Sequence, residues 1–189
     1  MSTIDSLLSR RSIKLVQGPG PSEQELDLIL RAAVCAPDHG RLQPWRFCLI
    51  RGENVQALGE LAIAANERAG TPLTEQKAAS VRAWLAKVPL LIAVASHIDH
   101  GEEKIPELER VLATGAAVSN MLHAAHQLGF GAFWSTGLGT YGEEVPEALG
   151  FDSLDYQFLG FVSVGTPIHT LGPAQRPEPQ QFVTEWRAA

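Results

Sequence analysis

The sequence predicts a domain in which helices pack against a sheet, and three observations carry this. Long runs with apolar residues at helical spacing alternate with short, wholly apolar runs of strand length. Clusters of Gly and Pro separate the two kinds of run. No internal repeat or low-complexity segment interrupts the series; residues 173–181 come closest and read as a rigid extended connector.

The first element is a helix that Ser2 or Thr3 can cap, with Ile4, Leu7 and Leu8 on one face. It runs into Arg10-Arg11-Ser12-Ile13-Lys14. Cations at a helix end suit the helix dipole; the same residues also make an anion site, with guanidinium forks and a hydroxyl for a phosphate. Gln17-Gly18-Pro19-Gly20-Pro21 breaks the chain. Ser22 and Glu25 then have capping-box spacing, and Leu26, Ile29, Leu30 and Ala33 continue at helical period until Pro37 biases Ala36 away from the α region.

The loop from Ala36 to Trp45 is the most distinctive stretch. Its prolines and glycine stop it from continuing as helix or strand, and it sets Asp38, His39, Arg41 and Gln43 beside Trp45. Such a loop either presents polar groups to a flat ligand or is a rigid turn anchored on a buried Trp. Phe47-Cys48-Leu49-Ile50 reads as a buried strand, expected to be central because it is apolar on both faces.

Residues 55–69 are rich in Ala, Leu and Glu and predict a helix that ends at Gly70; residues 74–86 predict another, carrying Trp84. Residues 90–95 are a second buried strand, followed by a polar turn at 97–101. Residues 106–128 predict one helix about 35 Å long, with Leu108, Val111, Leu112, Gly115, Val118, Met121, Leu122 and Ala125 on a wide apolar face. A helix this apolar is either the centre of the domain or part of a subunit interface. A short strand at 131–134 leads into the hydroxyl- and glycine-bearing loop 135–140. A short helix at 143–149 and a third main strand at 157–164 complete the pattern. Residues 165–189 read as a C-terminal extension of a single domain, 1–189, whose apolar end should dock on a partner subunit.

Bulk properties narrow the function. The chain of 189 residues suits one domain, and a net charge of -6 argues against a nucleic-acid binder. Cys35 and Cys48 give neither a disulfide framework nor a zinc ribbon and are read as reduced thiols of a cytoplasmic protein. No signal peptide is expected, and the apolar run at 88–95 is far too short to cross a bilayer.

Several chemistries lack their residues. There is no phosphate-binding Walker loop, no Gly-x-Gly-x-x-Gly after a strand and no Gly-x-Ser-x-Gly elbow. His97 with His100, and His123 with His126, have spacings that can bind metal, but nothing obvious completes a site, and no metal is expected. The acidic pairs Glu102-Glu103 and Glu143-Glu144 sit by expected helix starts, where they suit the dipole better than acid–base work. What remains is the Arg10 segment, the His39 loop and the loop after Trp134, which together contain what a flavin mononucleotide needs. Arginines and a serine hold a phosphate, a cation offsets negative charge on the ring, and a glycine amide can approach the ring unobstructed.

In this ordered set the chain resembles the nitroreductase family, within it the small YdjA-like branch. The motifs are Arg10-Arg11-Ser12-Ile13-Lys14; Ala36-Pro37-Asp38-His39 with Gln43-Pro44-Trp45-Arg46-Phe47; and Gly129-Phe130-Gly131-Ala132-Phe133-Trp134, followed by Gly137, Gly160-Phe161 and Gly165-Thr166-Pro167. The resemblance implies an α+β, nitroreductase-like (FMN-dependent) fold: a central mixed β-sheet flanked by helices, in an intertwined homodimer with FMN at the interface. It implies that Arg10, Arg11 and Ser12 contact the phosphate and ribityl chain and that Lys14 lies by the pyrimidine edge. Pro37, His39 and Gln43 belong to the loop that reaches the flavin from the partner chain. Trp134, Ser135, Thr136 and Gly137 lie along the ring, with the Gly137 amide facing N5. Residues 124–129 neighbour the NAD(P)H donor.

The implied activity is reduction of nitroaromatic, quinone or related small-molecule acceptors at the expense of NAD(P)H by a ping-pong mechanism, with no catalytic side chain, nucleic acid or membrane involved. The alternative is a non-enzymatic flavin-binding or sensing protein on the same fold. The chain departs from the branch at Cys35 and Ser135, where the branch carries Arg. Arg41 and Arg176 are the candidates to replace one of those cations.

Overall fold

The computed structural model describes residues 3–102, 104–172 and 174–188, without the side chain of Thr3. Ser2 as a cap, Glu103 of the acidic pair, and Pro173 and Ala189 of the extension lie outside the described residues. The helices are α1 (Thr3–Ser9), α2 (Glu23–Ala33), α3 (Glu53–Arg68), α4 (Glu75–Leu85), α5 (Glu107–Gln127) and α6 (Glu144–Ala148). The strands are β1 (Val16–Gln17), β2 (Trp45–Arg51), β3 (Leu90–His97), β4 (Gly131–Ser135) and β5 (Tyr156–Pro167), and short 3₁₀ turns cover His39–Arg41 and Pro179–Phe182.

Local chemistry fixes the helix starts. Ser22 accepts from the Glu25 amide at 3.3 Å while the Glu25 carboxylate accepts from the Ser22 amide at 2.8 Å, closing the capping box on α2. Thr74 caps α4 through the Lys77 amide.

β3 is buried along almost its whole length, because its side chains meet helices on both sides. Leu91, Ala93 and Ala95 face a core shared with Val55 and Leu58 of α3, Leu85 of α4 and Val145 of α6. Leu90, Ile92 and Val94 face a second core built from Leu26 and Ile29 of α2 and Val118 and Met121 of α5. The sheet is thus the middle of three layers. Leu91 and Ile92 are fully buried, and each such side chain contributes about 1.5–3 kcal/mol of transfer free energy.

Strand order departs from expectation in two ways. The sheet runs β1-β5-β3-β2, with β4 also on β5. Every described pair is antiparallel rather than mixed. The strand read as central, β2, lies at the edge, and only Ile50 of its seven residues is buried. Its apolar outer positions, such as Leu49, remain accessible in the single chain.

The long helix also turns differently from its reading. Ala113, Ala117, Val118, Met121 and Ala125 face the core, whereas Leu108 and Leu112 point outward at 66% and 62% exposure. Small residues win the core side because they let the helix axis come close to the sheet. Ile4, Leu7 and Leu8 of α1 are exposed as well, as are Phe182, Val183 and Trp186 near the C-terminus. Gly165 to Pro167 belong to β5, so the C-terminal extension leaves the sheet only after Pro167.

Candidate functional site

The site begins with the strand-like segment after α1. The Ile13 amide donates to the Ala132 carbonyl at 2.9 Å, and Val16 pairs with Pro167. Lys14 is thereby held beside the C-terminal part of the sheet. Trp84 of α4 fixes it further: the indole N–H donates to the Lys14 carbonyl at 3.1 Å, and the Lys14 ammonium stands 4.8 Å from the centre of the ring. Both residues line a cavity of about 890 Å³, walled by α3 (Ala62, Asn66), α4 and the loop after β4. Its volume falls in the range of small-molecule sites.

The loop 135–140 also lines this cavity. The Gly137 amide donates to Ser135 Oγ at 3.2 Å, and Thr140 Oγ1 donates to the Gly137 carbonyl at 2.6 Å. A bulge in β5 places the base of this loop. Val94 pairs with Gly160 but Ala95 with Phe158, so Leu159 is the extra residue. The freed Leu159 carbonyl accepts from the Trp134 indole at 2.8 Å. Gly160, at φ 100°, lies so close to the loop that a Cβ there would sit 2.4 Å from the Ser135 carbonyl oxygen. Only glycine allows that approach.

A separate polar recess of about 510 Å³ lies between Arg10, Arg11 and Ser12 on one side and Ala174, Gln175 and Arg176 on the other. Arg11 donates to the Gly172 carbonyl at 2.6 Å, and Arg176 donates to the Arg10 carbonyl at 2.8 Å. One terminal nitrogen of Arg10, Nη1, is buried with no hydrogen-bond partner. Burial, and then the charge of Arg176, hold the Arg10 guanidinium below its ordinary range. Burial and the charges of Arg10 and His126 likewise push His123 below its ordinary value.

The Ala36–Trp45 loop forms neither of these walls within one chain. Asp38 Oδ2 accepts from the Gln43 amide at 2.7 Å, and Arg46 donates to the Gln43 and Trp45 carbonyls. Arg41 and Gln43 both adopt the left-handed region, at φ 57° and 49°, which a non-glycine residue enters only when its surroundings hold it there. His39 is exposed, with Nδ1 2.6 Å from Glu109 Oε2 on α5.

Lys14, Ser135, Thr136 and Gly137 therefore share one cavity, and Arg10, Arg11 and Ser12 share the recess. Trp134, Pro37, His39 and Gln43 line neither in one chain. Sequence reasoning missed Trp84 as a support for Lys14: an aromatic on an amphipathic helix carries no sign of a contact 70 residues away. Among the described residues no group of three His, Cys, Asp or Glu converges to hold a metal, and no helix is long and apolar enough to cross a membrane.

This fold has counterparts. Residues 7–166 match the nitroreductase family, and the chain belongs to that family of oxidoreductases. It is 34% identical to the "Putative NAD(P)H nitroreductase YdjA" of Escherichia coli strain K12, over 97% of this chain and 99% of that one. It is 32% identical to the "Putative NAD(P)H nitroreductase YfhC" of Bacillus subtilis, over 86% and 83% of the two chains. Among solved structures, a nitroreductase-like family protein from Bacillus cereus shares the fold with a TM-score of 0.81 at 21% identity, covering 100% of this chain and 97% of that one. A "putative nitroreductase in complex with FMN" from Desulfovibrio desulfuricans aligns with a TM-score of 0.76 at 25% identity, covering 100% and 99%.

Proposed function

We propose that this chain is an FMN-dependent oxidoreductase that uses NAD(P)H to reduce nitroaromatic, quinone or related acceptors by a ping-pong mechanism in the cytoplasm. It does so as an intertwined homodimer that binds FMN at its interface. The observation that carries the reading is that Lys14 and the Ser135–Thr136–Gly137 loop line one cavity, with an arginine-lined recess beginning two residues before Lys14. The names of the relatives, and the FMN complex of the Desulfovibrio protein, support it.

The residues fit the cofactor in kind. The buried, unpartnered Arg10 nitrogen needs an acceptor, and a phosphate supplies one. Arg10, Arg11 and Ser12 would hold that phosphate, and Lys14 would place positive charge by the ring, held there by Trp84. The Gly137 amide, now on the Ser135 hydroxyl, is the donor assigned to the ring's N5 edge. When bound, FMN supplies hydride acceptance from NAD(P)H and electron donation to the acceptor.

The loop carrying Pro37, His39 and Gln43 lines neither site of its own chain, which supports its assignment to the partner's flavin. The exposed leucines of α1 and α5 and the apolar C-terminal extension supply the surface that two copies would bury.

The test is the purified protein's visible spectrum followed by stopped-flow mixing with NADPH and NADH. A flavin spectrum, cofactor released on denaturation and bleaching by either nucleotide are expected. A colourless protein that takes up no added FMN would overturn the reading. A bound flavin that neither nucleotide bleaches would leave a non-enzymatic flavin-binding protein.

A further inference from the structure

One face of α4 lines the cavity shared by Lys14 and the 135–140 loop. Lys77, Ser80, Val81 and Trp84 all line it, and their spacing is that of a single helix face. Lys77 is therefore two turns, about 10 Å along the axis, from Trp84, beside whose ring the Lys14 ammonium rests. Ala62, Ala65 and Ala69 line the same cavity, and side chains this small leave room for a flat molecule. The charges on the lining do not cancel. Arg68 is paired with Glu144, both carboxylate oxygens accepting from its guanidinium. Lys77 is exposed and takes part in no salt bridge among the described residues. Glu143 also lines the cavity and has no salt bridge there. Lys14 and Lys77 thus stand against one unpaired carboxylate, a positive lining in a chain of net charge -6. A cleft with one sign of charge raises the local concentration of ligands of the other.

We propose that Lys77 is a specificity-determining residue, and that the acceptor class is a planar aromatic molecule carrying an anionic group, a carboxylate in the simplest case. This rests on the oxidoreductase reading above and deepens it by naming the acceptor's charge. Lys14, held by Trp84, is left to the flavin ring, while Lys77, two helical turns away, meets the charge of the acceptor. The apolar part of the lining, with Val81 and the three alanines, covers the acceptor's ring. Glu143 works against Lys77, so removing its charge should sharpen the preference.

The experiment uses the full chain as purified, as wild type, Lys77→Ala, Lys77→Arg and Glu143→Gln, with para-nitrobenzoate and its neutral counterpart para-nitrobenzamide. Calorimetry on the oxidised protein gives Kd for each, and consumption of NADPH or NADH gives KM and kcat. The wild type should prefer para-nitrobenzoate. Lys77→Ala should reduce that preference by about twofold to fivefold, in Kd and KM rather than in kcat, the scale of one partly exposed ion pair. Lys77→Arg should retain it, because the charge is kept, and Glu143→Gln should widen it. Added salt should narrow it in the wild type more than in Lys77→Ala.

Equal affinity of the wild type for the two acceptors, or equal weakening of both by Lys77→Ala, would overturn the role of Lys77 while leaving the flavoprotein reading intact. A rise in KM for NADPH with the acceptor preference unchanged would assign Lys77 to the donor and overturn the proposal as well. If the wild type held no flavin, the reading above would fail by itself. Calorimetry would then decide the cavity: a preference for para-nitrobenzoate that Lys77→Ala removes would uphold Lys77 as its anion-selecting residue, and no preference would end that role.

Discussion

Trp84 and Lys14 hold one another at two points, an indole N–H to the lysine carbonyl at 3.1 Å and the ammonium 4.8 Å from the ring centre. The backbone bond fixes where the segment runs and the ring contact fixes where its charge rests. A fixed charge favours a negative partner more than a mobile one, because no reorganisation precedes the interaction.

If that charge faces the flavin, Lys14→Ala should lower the reduction potential of bound FMN by about 30 mV or more, the two-electron equivalent of about 1.4 kcal/mol. Trp84→Leu should produce a smaller shift in the same direction, since the ammonium remains but is less confined. Spectroelectrochemical titration of both variants measures this, and unchanged potentials would remove Lys14 from the ring.

Gly160 ties the β5 bulge to the site loop through contact no other residue permits. Gly160→Ala places a Cβ against the Ser135 carbonyl, a backbone atom that cannot swing away, and also demands φ near 100° of an L residue. Destabilisation of about 2–4 kcal/mol is expected by denaturant unfolding. Gly172→Ala, where a Cβ meets open space, is the control and should cost far less.

His123 makes stability depend on acidity. Its imidazole is pushed below its ordinary value of 6.5, chiefly by burial, then by Arg10 and His126. The unfolded chain therefore binds this proton at a higher pH than the folded one. The contribution is fully present above the unfolded value and is lost as pH falls toward the lowered one. His123→Gln should show a smaller fall in melting temperature than wild type between about pH 7 and pH 5.5. An identical fall in both proteins would exclude this group as the cause.

The outward face of α5 bears on assembly. Leu112→Glu puts a charge on a residue 62% exposed in the single chain, so it should hardly alter the fold of one copy. In a dimer that buries this face it should shift sedimentation toward the monomer and weaken FMN retention. A monodisperse dimer that keeps its flavin would place the interface elsewhere.

Much of this was legible from residues. The Ser22/Glu25 box and the Thr74 cap announce their helices because capping is local chemistry. β3 announces itself because a strand covered on both faces must be apolar throughout. β2 misled for the same reason: apolar residues on both faces read as central, whereas it lies at the edge with Leu49 exposed. β1 is only two residues long, too short to show a period. On α5, apolar residues surround so much of the helix that period alone could not choose the core stripe. Close approach to the sheet chose it, favouring Ala113, Ala117 and Ala125 over Leu108 and Leu112. At the site, Lys14 and Gly137 could be paired only through the family likeness. Of the two replacement cations considered, Arg176 reaches the Arg10 recess while Arg41 sits in the left-handed turn after His39.

β5 also has a bearing on how the chain is made. Among the described residues β1 and β4 pair with no strand but β5, so until residues 156–167 leave the ribosome the β2–β3 ladder is the only one of these that can exist. Every helix from α1 to α6 must wait, with the both-faces-apolar β3 uncovered along one side, for a segment that follows them all in the chain. The nascent chain is therefore a natural client for a holdase, and a message truncated before β5 would yield an aggregating product rather than a smaller working enzyme.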